Sequence, residues 1–207
     1  SAPLFAWLER GGLYVLPNLR GGGEYGEAWH RAGMLEKKQN VFDDFISAAR
    51  WLISEQYTRP ERLAISGGSN GGLLVGAAIT QAPELFKAAV CAVPLLDMLR
   101  YHKFLLGRLW IAEYGSPEDP KQAAWLAAYS PYHHVKKDAP FPATLFLSGD
   151  SDSRVDPMHA RKMAALMQQE APKGTPLLLR FETNAGHGAG KPLAKTLEEL
   201  VDRYSFL

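Results

Sequence analysis

One serine in this chain has two glycines on each side of it and an apolar run before and after. The segment "LAISGGSNGGLLVGAAI" spans residues 63–79 and is centred on Ser69. The first run is short and suits a buried strand, while the second is longer and suits a buried helix. Glycine is used where the backbone needs a positive φ or where another group must approach closely. The pattern therefore predicts a sharp turn from strand to helix with Ser69 at its tip.

The spacing Gly67-x-Ser69-x-Gly71 matches the nucleophile elbow, in which the serine oxygen stands clear of the backbone. The same spacing also arises by chance in glycine-rich turns, so this interpretation needs a base and an acid elsewhere in the chain. A phosphate-binding loop is disfavoured because no Gly-Lys-Ser/Thr follows, and a dinucleotide-binding loop because the G-x-G-x-x-G spacing is missing around the serine. Backbone N–H groups at the start of the predicted helix are free to hold an anion.

Composition places the chain among globular proteins of one domain. It has 207 residues, 46% of them hydrophobic, and a formal net charge of +1. No basic tract stands out, which argues against nucleic acid and acidic membrane surfaces as partners. The lone cysteine, Cys91, lies in the apolar run "AAVCAVPLL" and is expected in the core, without an internal disulfide. We expect a cytoplasmic protein, because neither a signal peptide nor a membrane-spanning run is evident.

Strand-like and helix-like segments alternate along the chain. This alternation favours an α/β fold with a mostly parallel sheet and helices on both faces. Asn40 is placed to cap the start of the helix "NVFDDFISAARWLISEQ". The expected strands are "GGLYVLPNL", "RLAIS", "AAVCAVPLL", "PATLFLSGD" and "PLLLRFETNAG". Three further helices are expected: one directly after the elbow, one at "PMHARKMAALMQQE" and one at "KPLAKTLEELVDRYSFL".

Two later strand ends carry the acid and the base that a serine nucleophile needs. "LFLSGDSDSRVDP" places Asp150 and Asp152 after one strand, and "FETNAGHGAGKP" places His187 after the last. Reactive groups collect at the carboxyl ends of strands in such a fold. His187 can take the proton of Ser69, and a carboxylate can hold the imidazole in the right tautomer. The chain order Ser, Asp, His is that of α/β-hydrolases.

Each of these residues also has an ordinary interpretation. His187 could be a plain loop histidine, and the two aspartates could be turn or capping residues. His133 and His134 are adjacent, so their side chains point in different directions and are expected to serve surface or packing roles. No Cys/His/carboxylate cluster has the spacing of metal ligands, and we expect neither a metal nor a cofactor. An elbow, an acid and a base in order at three strand ends make chance an unsatisfactory explanation.

Six segments of the chain closely resemble the prolyl oligopeptidase family of serine peptidases: "NLRGGGEYGEAWH", "KQNVFDDF", "GGSNGGLLVGA", "DMLRYHKF", "SRVDPMHARK" and "NAGHGAGKP". The resemblance covers nearly the whole chain and corresponds to the carboxyl-terminal part of the catalytic domain. It implies a partial α/β-hydrolase fold that lacks the first strands. It also implies a serine endopeptidase that hydrolyses short peptides on the carboxyl side of proline through an acyl-enzyme.

The resemblance also implies roles for individual residues. Ser69 would be the nucleophile and His187 the general base. The family's acid lies two residues before an arginine that binds the peptide, which implies Asp152 as the acid and Arg154 as the anchor. Asp150 is the second choice for the acid.

Proline specificity in the family depends on a flat apolar slot. The resemblance implies that Trp110 stacks on the proline ring and that Tyr114, Leu95, Val155 and Asn70 line the slot. Without the resemblance, Trp110 and Tyr114 would be interpreted as ordinary packing residues. Asn70 would also supply the backbone N–H directly after the nucleophile, which is one of two donors of an oxyanion hole.

Several parts of such an enzyme are expected outside this chain. The second oxyanion donor would be a tyrosine hydroxyl from a segment just upstream of Ser1, and "SAPLFAWLERGG" would be the helix after that segment. Residues 1–207 would then hold strands 4 to 8, with strand 3 missing between "GGLYVLPNL" and "RLAIS". We expect those two strands to be separated by a gap or by another strand. The expected partners are the remainder of the polypeptide, including a β-propeller, and short proline-containing peptides.

Two other functions stay open from the sequence. One is a related hydrolase of the same fold, such as an acylaminoacyl peptidase or an esterase. The other is a catalytically silent fragment that serves only as an interaction module.

Overall fold

Four parallel strands form the sheet in the part of the chain that this computed structural model describes, residues 2–188 and 191–207. The strands stand in chain order, β1-β2-β3-β4, and every neighbouring pair is parallel. Gly68, Ala92 and Leu147 lie side by side near the carboxyl ends of the first three strands. The strands are β1 (Ala64–Gly68), β2 (Ala88–Ala92), β3 (Ala143–Gly149) and β4 (Leu177–Glu182).

Helices connect and cover these strands. Short 3-10 turns add to them at Leu35–Lys37, Pro60–Arg62, Pro83–Leu85, Tyr101–Lys103, Gly107–Trp110 and Pro131–His134. The α-helices are α1 (Ala2–Glu9), α2 (Glu27–Arg31), α3 (Gln39–Ser54), α4 (Asn70–Gln81), α5 (Ile111–Tyr114), α6 (Pro120–Tyr129), α7 (Met158–Glu170) and α8 (Leu193–Phe206). The predicted positions of the main helices are confirmed, and so are the four strands from "RLAIS" onward.

The two faces of the sheet are covered to different extents. On one face, side chains of α3, α4 and α7 pack with strand residues such as Phe146 in the largest buried cluster of the described chain. On the other face, Val90 and Leu145 contact Phe206 and Leu207 at the end of α8. The remainder of α8 presents apolar side chains to solvent, namely Leu193, Leu197 and Val201. The architecture is that of a partial α/β-hydrolase fold.

The strand expected at "GGLYVLPNL" is wrong. Residues 13–19 form no ladder with any described strand, and Leu13, Tyr14 and Leu16 are exposed. An apolar alternation becomes a strand only where a partner satisfies its backbone groups, and none of the described strands lies beside it. The expectation that this segment does not pair directly with β1 is confirmed, and β1 forms one edge of the sheet.

The capping role expected for Asn40 is also wrong. Helix α3 begins one residue earlier, at Gln39, and the residue before it is Lys38. The Asn40 side chain instead donates a hydrogen bond across to the carbonyl oxygen of Ala32, at 2.8 Å. Its amide therefore joins the start of α3 to the chain after α2.

Candidate active site

Ser69 occupies the tip of the turn between β1 and α4. Its backbone has φ 58° and ψ −116°, a conformation that residues other than glycine rarely adopt. Its N–H donates to the Ala92 carbonyl at 2.9 Å, and its own carbonyl accepts from Leu73 at 3.1 Å as the first bond of α4. The strain is therefore held by the sheet on one side and by the helix on the other.

Two of the surrounding glycines are required by space. A Cβ on Gly67 would lie 2.2 Å from the carbonyl oxygen of Gly71, and one on Gly72 would lie 2.7 Å from Pro94 Cβ. Neither neighbour can withdraw easily, because both belong to the backbone or to a ring. The glycines thus allow α4 to pack tightly against β1 and the chain after β2.

Asp152 and His187 meet at the carboxyl edge of the sheet. His187 Nδ1 lies 2.7 Å from Asp152 Oδ2, and the side chain of Asp152 is only 1% exposed. The other oxygen, Oδ1, accepts the N–H groups of Arg154 and Val155, both at 2.9 Å. With Nδ1 bound to the carboxylate, Nε2 of His187 is left as the ring nitrogen that can exchange a proton with a neighbour.

Asp150 has a different environment. It is exposed, and its Oδ1 accepts from the Ser151 hydroxyl at 2.8 Å and more weakly from the Ala185 N–H at 3.4 Å. The Ser151 hydrogen bond is the main cause that lowers its pKa. The structure therefore pairs Asp152, rather than Asp150, with His187.

Ser69 and His187 line the same cavity. Its volume is about 300 Å³, and it opens at the ends of the strands between Gly68, Ser148 and the glycine-rich loop around Gly186. The cavity walls bring the serine and the histidine to one space, with the buried carboxylate behind the imidazole. Such an arrangement can activate a hydroxyl by removing its proton.

Four of the five residues expected to line a proline slot, all except Asn70, share one apolar cluster. Leu95, Tyr114 and Val155 are buried in it, and Trp110 packs against its surface. Arg154 is exposed and its guanidinium carbon lies 5.9 Å from the centre of the Trp110 ring. A cation at this distance from an indole face is attracted by the ring. The slot residues, the arginine and the carboxylate of Asp152 thus lie in one region.

A comparison with known protein families identifies the chain. The model of the prolyl oligopeptidase family matches residues 2–207. The chain belongs to the prolyl oligopeptidase family.

Relatives within this family match all or nearly all of the chain but are much longer than it. Prolyl oligopeptidase ophP of Omphalotus olearius is 48% identical over 210 residues, which is 100% of this chain and 28% of that protein. The prolyl endopeptidase of Elizabethkingia miricola is 48% identical over 201 residues, which is 97% of this chain and 28% of that protein. The chain therefore spans little more than a quarter of these relatives.

Solved structures of family members have the same fold. One from work on two prolyl endopeptidases has a TM-score of 0.97 at 59% identity and covers 100% of this chain and 30% of that one. Prolyl oligopeptidase B from Galerina marginata, bound to a 35mer hydrolysis and macrocyclization substrate, has a TM-score of 0.91 at 43% identity over 95% of this chain and 28% of that one. It was solved with alanine in place of a serine, and separately in place of an aspartate and of a histidine.

One contact beside the elbow of this family member was not expected from its sequence. The Tyr114 hydroxyl donates to Asn70 Oδ1 at 2.9 Å, which joins α5 to the first residue of α4. Next to Tyr114, Glu113 accepts from Lys38 at 3.0 Å and lies 3.0 Å from His30 Nε2. His30 lies in the segment "AWH" and Lys38 in the segment "KKQN". Nothing in the spacing of these segments predicts that both residues contact Glu113.

The remaining histidine pair has a structural setting. His133 Nδ1 bonds the Ser130 hydroxyl, and His134 Nδ1 bonds the Ser130 carbonyl, each at 2.9 Å. Across residues 2–188 and 191–207, His, Cys, Asp and Glu side chains form no group of three that could hold a metal ion. Among those same residues, no helix combines the length and apolar character that crossing a bilayer requires.

Proposed function

We propose that this chain carries the catalytic centre of a serine endopeptidase that hydrolyses short peptides on the carboxyl side of proline. The observation that carries the proposal is the pairing of the buried Asp152 with His187, beside the cavity that His187 shares with Ser69. Family membership supports the same activity, since relatives are named prolyl oligopeptidases and prolyl endopeptidases. In the Galerina marginata relative, the serine, aspartate and histidine replaced by alanine follow one another in that order, as Ser69, Asp152 and His187 do here.

Acylation begins when the Ser69 oxygen attacks the carbonyl carbon of the proline residue. His187 Nε2 takes the serine proton as the C–O bond forms, and the carbonyl electron pair moves onto oxygen. The tetrahedral intermediate then collapses, the C–N bond breaks, and His187 gives its proton to the leaving amine. The product is an ester between Ser69 and the proline carbonyl.

Deacylation repeats these steps with water. His187 removes a proton from the water that attacks the ester, and returns it to Ser69 as the ester bond breaks. Asp152 remains ionised throughout and stabilises the imidazolium that forms twice in each cycle. The two backbone N–H groups on its Oδ1 hold the carboxylate in place while its Oδ2 faces the ring.

The oxyanion of both intermediates needs donors near Ser69. The backbone N–H of Asn70, at the start of α4, is the donor that this chain supplies. We propose that a tyrosine hydroxyl from outside this chain supplies the second.

Selectivity for proline comes from the apolar cluster beside the elbow. In the proposed complex, the pyrrolidine ring stacks on Trp110, and Leu95, Tyr114 and Val155 close the slot behind it. Arg154 anchors the peptide backbone next to the ring. An apolar slot of fixed width favours a flat ring over a small side chain because the ring fills it without leaving a void.

The complete enzyme would include further polypeptide. We propose that this chain is the carboxyl-terminal portion of the peptidase domain and that the first hydrolase strands and a β-propeller complete the protein. The 28% coverage of relatives supports this, and so do the open edge at β1 and the exposed apolar side of α8. Open sheet edges and apolar patches of this kind are normally covered.

The test compares substrates and variants in the full-length protein. A succinyl-Gly-Pro amide should be cleaved, while an acetyl-alanyl amide should be a poor substrate. Ser69→Ala should reduce kcat by roughly 10⁴-fold, because members of a triad act as a unit. Ser54→Ala, which changes an exposed serine at the end of α3, is the matched control and should leave kcat unchanged. Faster turnover of the acetyl-alanyl amide would contradict the proposal and favour an acylaminoacyl peptidase.

A further inference from the structure

The glutamate beside Tyr114 is the centre of a partly buried ion cluster that the proposed reaction does not use. Glu113 Oε1 accepts a hydrogen bond from Lys38 Nζ at 3.0 Å, and its Oε2 lies 3.0 Å from His30 Nε2. The side chain of Lys38 is only 3% exposed and that of Glu113 is 25% exposed. Both carboxylate oxygens of Glu113 are therefore engaged, each by a different segment of the chain.

Burial of Lys38 requires a specific partner. An ammonium group taken out of water is costly unless a counter-ion and hydrogen bonds replace its hydration. Burial lowers the pKa of Lys38, and the charge and hydrogen bond of Glu113 oppose that shift. The Lys38 ammonium also lies 5.0 Å from the centre of the Tyr114 ring. The lysine thus contacts both residues at the end of α5.

Helix α5 needs such external support. It has four residues, Ile111–Tyr114, which is too short for a helix to be stable by its own hydrogen bonds. Glu113 ties it to Lys38, at the start of α3, and to His30 in α2. The next residue, Tyr114, is buried and places its hydroxyl 2.9 Å from Asn70 Oδ1. The ion cluster is therefore one residue away from the tyrosine that hydrogen-bonds the Asn70 side chain.

We propose that Glu113 is a positioning residue that holds Tyr114 on Asn70 and so keeps the first turn of α4 in the geometry that stabilises the oxyanion. This inference rests on the proposed function only in assigning the Asn70 N–H as an oxyanion donor. Glu113 touches no reacting atom. It acts through Tyr114, whose hydroxyl fixes the side chain of the residue that carries the donor.

The experiment measures how fast a fluorophosphonate probe labels Ser69 in the full-length protein. Labelling forms a bond between the serine oxygen and phosphorus while the P–F bond breaks, fluoride leaves and His187 takes the serine proton. It places a phosphoryl oxygen in the oxyanion site, so its rate reports the elbow without requiring a proline substrate. Tyr114→Phe, which removes only the hydroxyl, should slow labelling about three- to tenfold, the effect of one lost hydrogen bond. Glu113→Gln should also slow labelling, by a factor no larger than that of Tyr114→Phe.

The double variant decides between positioning and general destabilisation. If Glu113 acts through Tyr114, the pair Glu113→Gln/Tyr114→Phe should label no more slowly than Tyr114→Phe alone. The matched control is Glu84→Gln, an exposed glutamate in the 3-10 turn after α4, which should label as the parent does. If Glu113→Gln lowers the unfolding temperature but not the labelling rate, or if the two losses multiply, the proposal is overturned.

Two further outcomes keep the inference separate from the proposed function. Should Glu113→Gln fail to fold, Lys38→Met/Glu113→Gln takes its place, because it removes the buried charge together with its partner. A parent protein that labels at Ser69 but hydrolyses no prolyl amide would refute the proposed function, while the labelling rates of the variants would still test Glu113. A parent that does not label at all would overturn both.

Discussion

The carboxylate of Asp152 is held from two directions. Its Oδ1 is bound by two backbone N–H groups of the following turn, and its Oδ2 by the imidazole of His187. Backbone donors cannot rotate away as side chains can, so the carboxylate is oriented before any substrate arrives. Asp150, two residues earlier, accepts from the hydroxyl of the next residue at 2.8 Å and from the Ala185 N–H at the longer distance of 3.4 Å.

Replacing each aspartate by asparagine should separate these two environments. Asp152→Asn presents an amide to His187 and can stabilise the wrong tautomer, so kcat should fall by roughly 10⁴-fold. Asp150→Asn should change kcat by less than about threefold, because an exposed side chain near the edge of a loop contributes little. Steady-state kinetics on a prolyl amide, with both variants in the full-length protein, measures the difference. A large loss in Asp150→Asn would show that the acid is assigned to the wrong residue.

Trp110 should affect which substrate is cleaved more than whether cleavage occurs. A stacked aromatic contact is worth roughly 0.5–1.5 kcal/mol beyond area burial, about two- to tenfold in rate. Trp110→Ala should therefore reduce kcat/KM for a prolyl amide by at least that factor, with a smaller change for an alanyl amide. Trp51→Ala, which changes a tryptophan on α3 that is 54% exposed, serves as the control. Equal losses on both substrates would identify Trp110 as a packing residue.

At the scale of elements, the turn between β1 and α4 depends on close backbone contact. The Cβ of an alanine at position 67 would lie 2.2 Å from the Gly71 carbonyl oxygen, whereas one at position 71 meets no atom within 4 Å. These two glycines flank the same serine with the same spacing. Although the two glycines have equivalent places in the motif, only Gly67 lacks space for a side chain.

Alanine substitutions at these glycines should have opposite effects on stability. Gly67→Ala forces the turn open and should cost about 1–3 kcal/mol, as overpacking does. Gly71→Ala lies inside a helix and should be neutral or stabilise by about 0.5–1 kcal/mol. Urea denaturation of both variants beside the parent measures the free energy of unfolding. Similar losses in the two would mean that the motif acts through chain flexibility and not through space.

Local pattern explains why these elements, but not all their contacts, could be predicted. The run "RLAIS", the glycines and the apolar helix after them are contiguous, so strand, turn and helix follow from about seventeen adjacent residues. The contact between Tyr114 and Asn70 joins positions 44 residues apart, and the partners of Glu113 are still more distant. Contacts between residues so far apart in the sequence depend on how the helices pack, and hydrophobic periodicity does not encode that packing. The segment "GGLYVLPNL" has the alternation of a strand, but it forms none because no described strand pairs with it.

At the scale of the whole molecule, the buried His159 joins α7 to the chain that follows β2. It is 1% exposed in α7, and its Nδ1 accepts the N–H of Asp97 at 3.1 Å and more weakly that of Leu96 at 3.4 Å. Burial lowers its pKa to about 4. The histidine is therefore neutral in the folded protein at neutral pH, and the chain after β2 is fastened to the helix that follows the acid loop.

This buried histidine should make stability depend on pH. Below about pH 6.5 the unfolded chain binds a proton at His159, while the folded chain does so only near pH 4. Stability should thus fall as the pH drops from 6.5 to 4, by up to about 3 kcal/mol at 1.36 kcal/mol per pKa unit.

His159→Gln should reduce that dependence. The loss of unfolding free energy between pH 7 and pH 4.5, measured by urea denaturation, should be smaller in this variant than in the parent. His134→Gln, at a half-buried histidine bonded to Ser130, is the control and should keep the parental dependence. An unchanged pH dependence in His159→Gln would show that another group governs acid stability.

The turn from Asp152 to Val155 combines three tasks within four residues. Asp152 orients the histidine, Arg154 lies over the Trp110 ring, and Val155 is part of the apolar cluster, while the N–H groups of the last two hold the first. In the proposed enzyme, directed evolution of this turn would change substrate preference and chemical competence together, since one shift of its backbone displaces both. Libraries that randomise Arg154 or Val155 should accordingly yield many inactive clones and few with merely changed selectivity. Substrate preference would be easier to change at Trp110, because the backbone of Trp110 does not hold Asp152 in place.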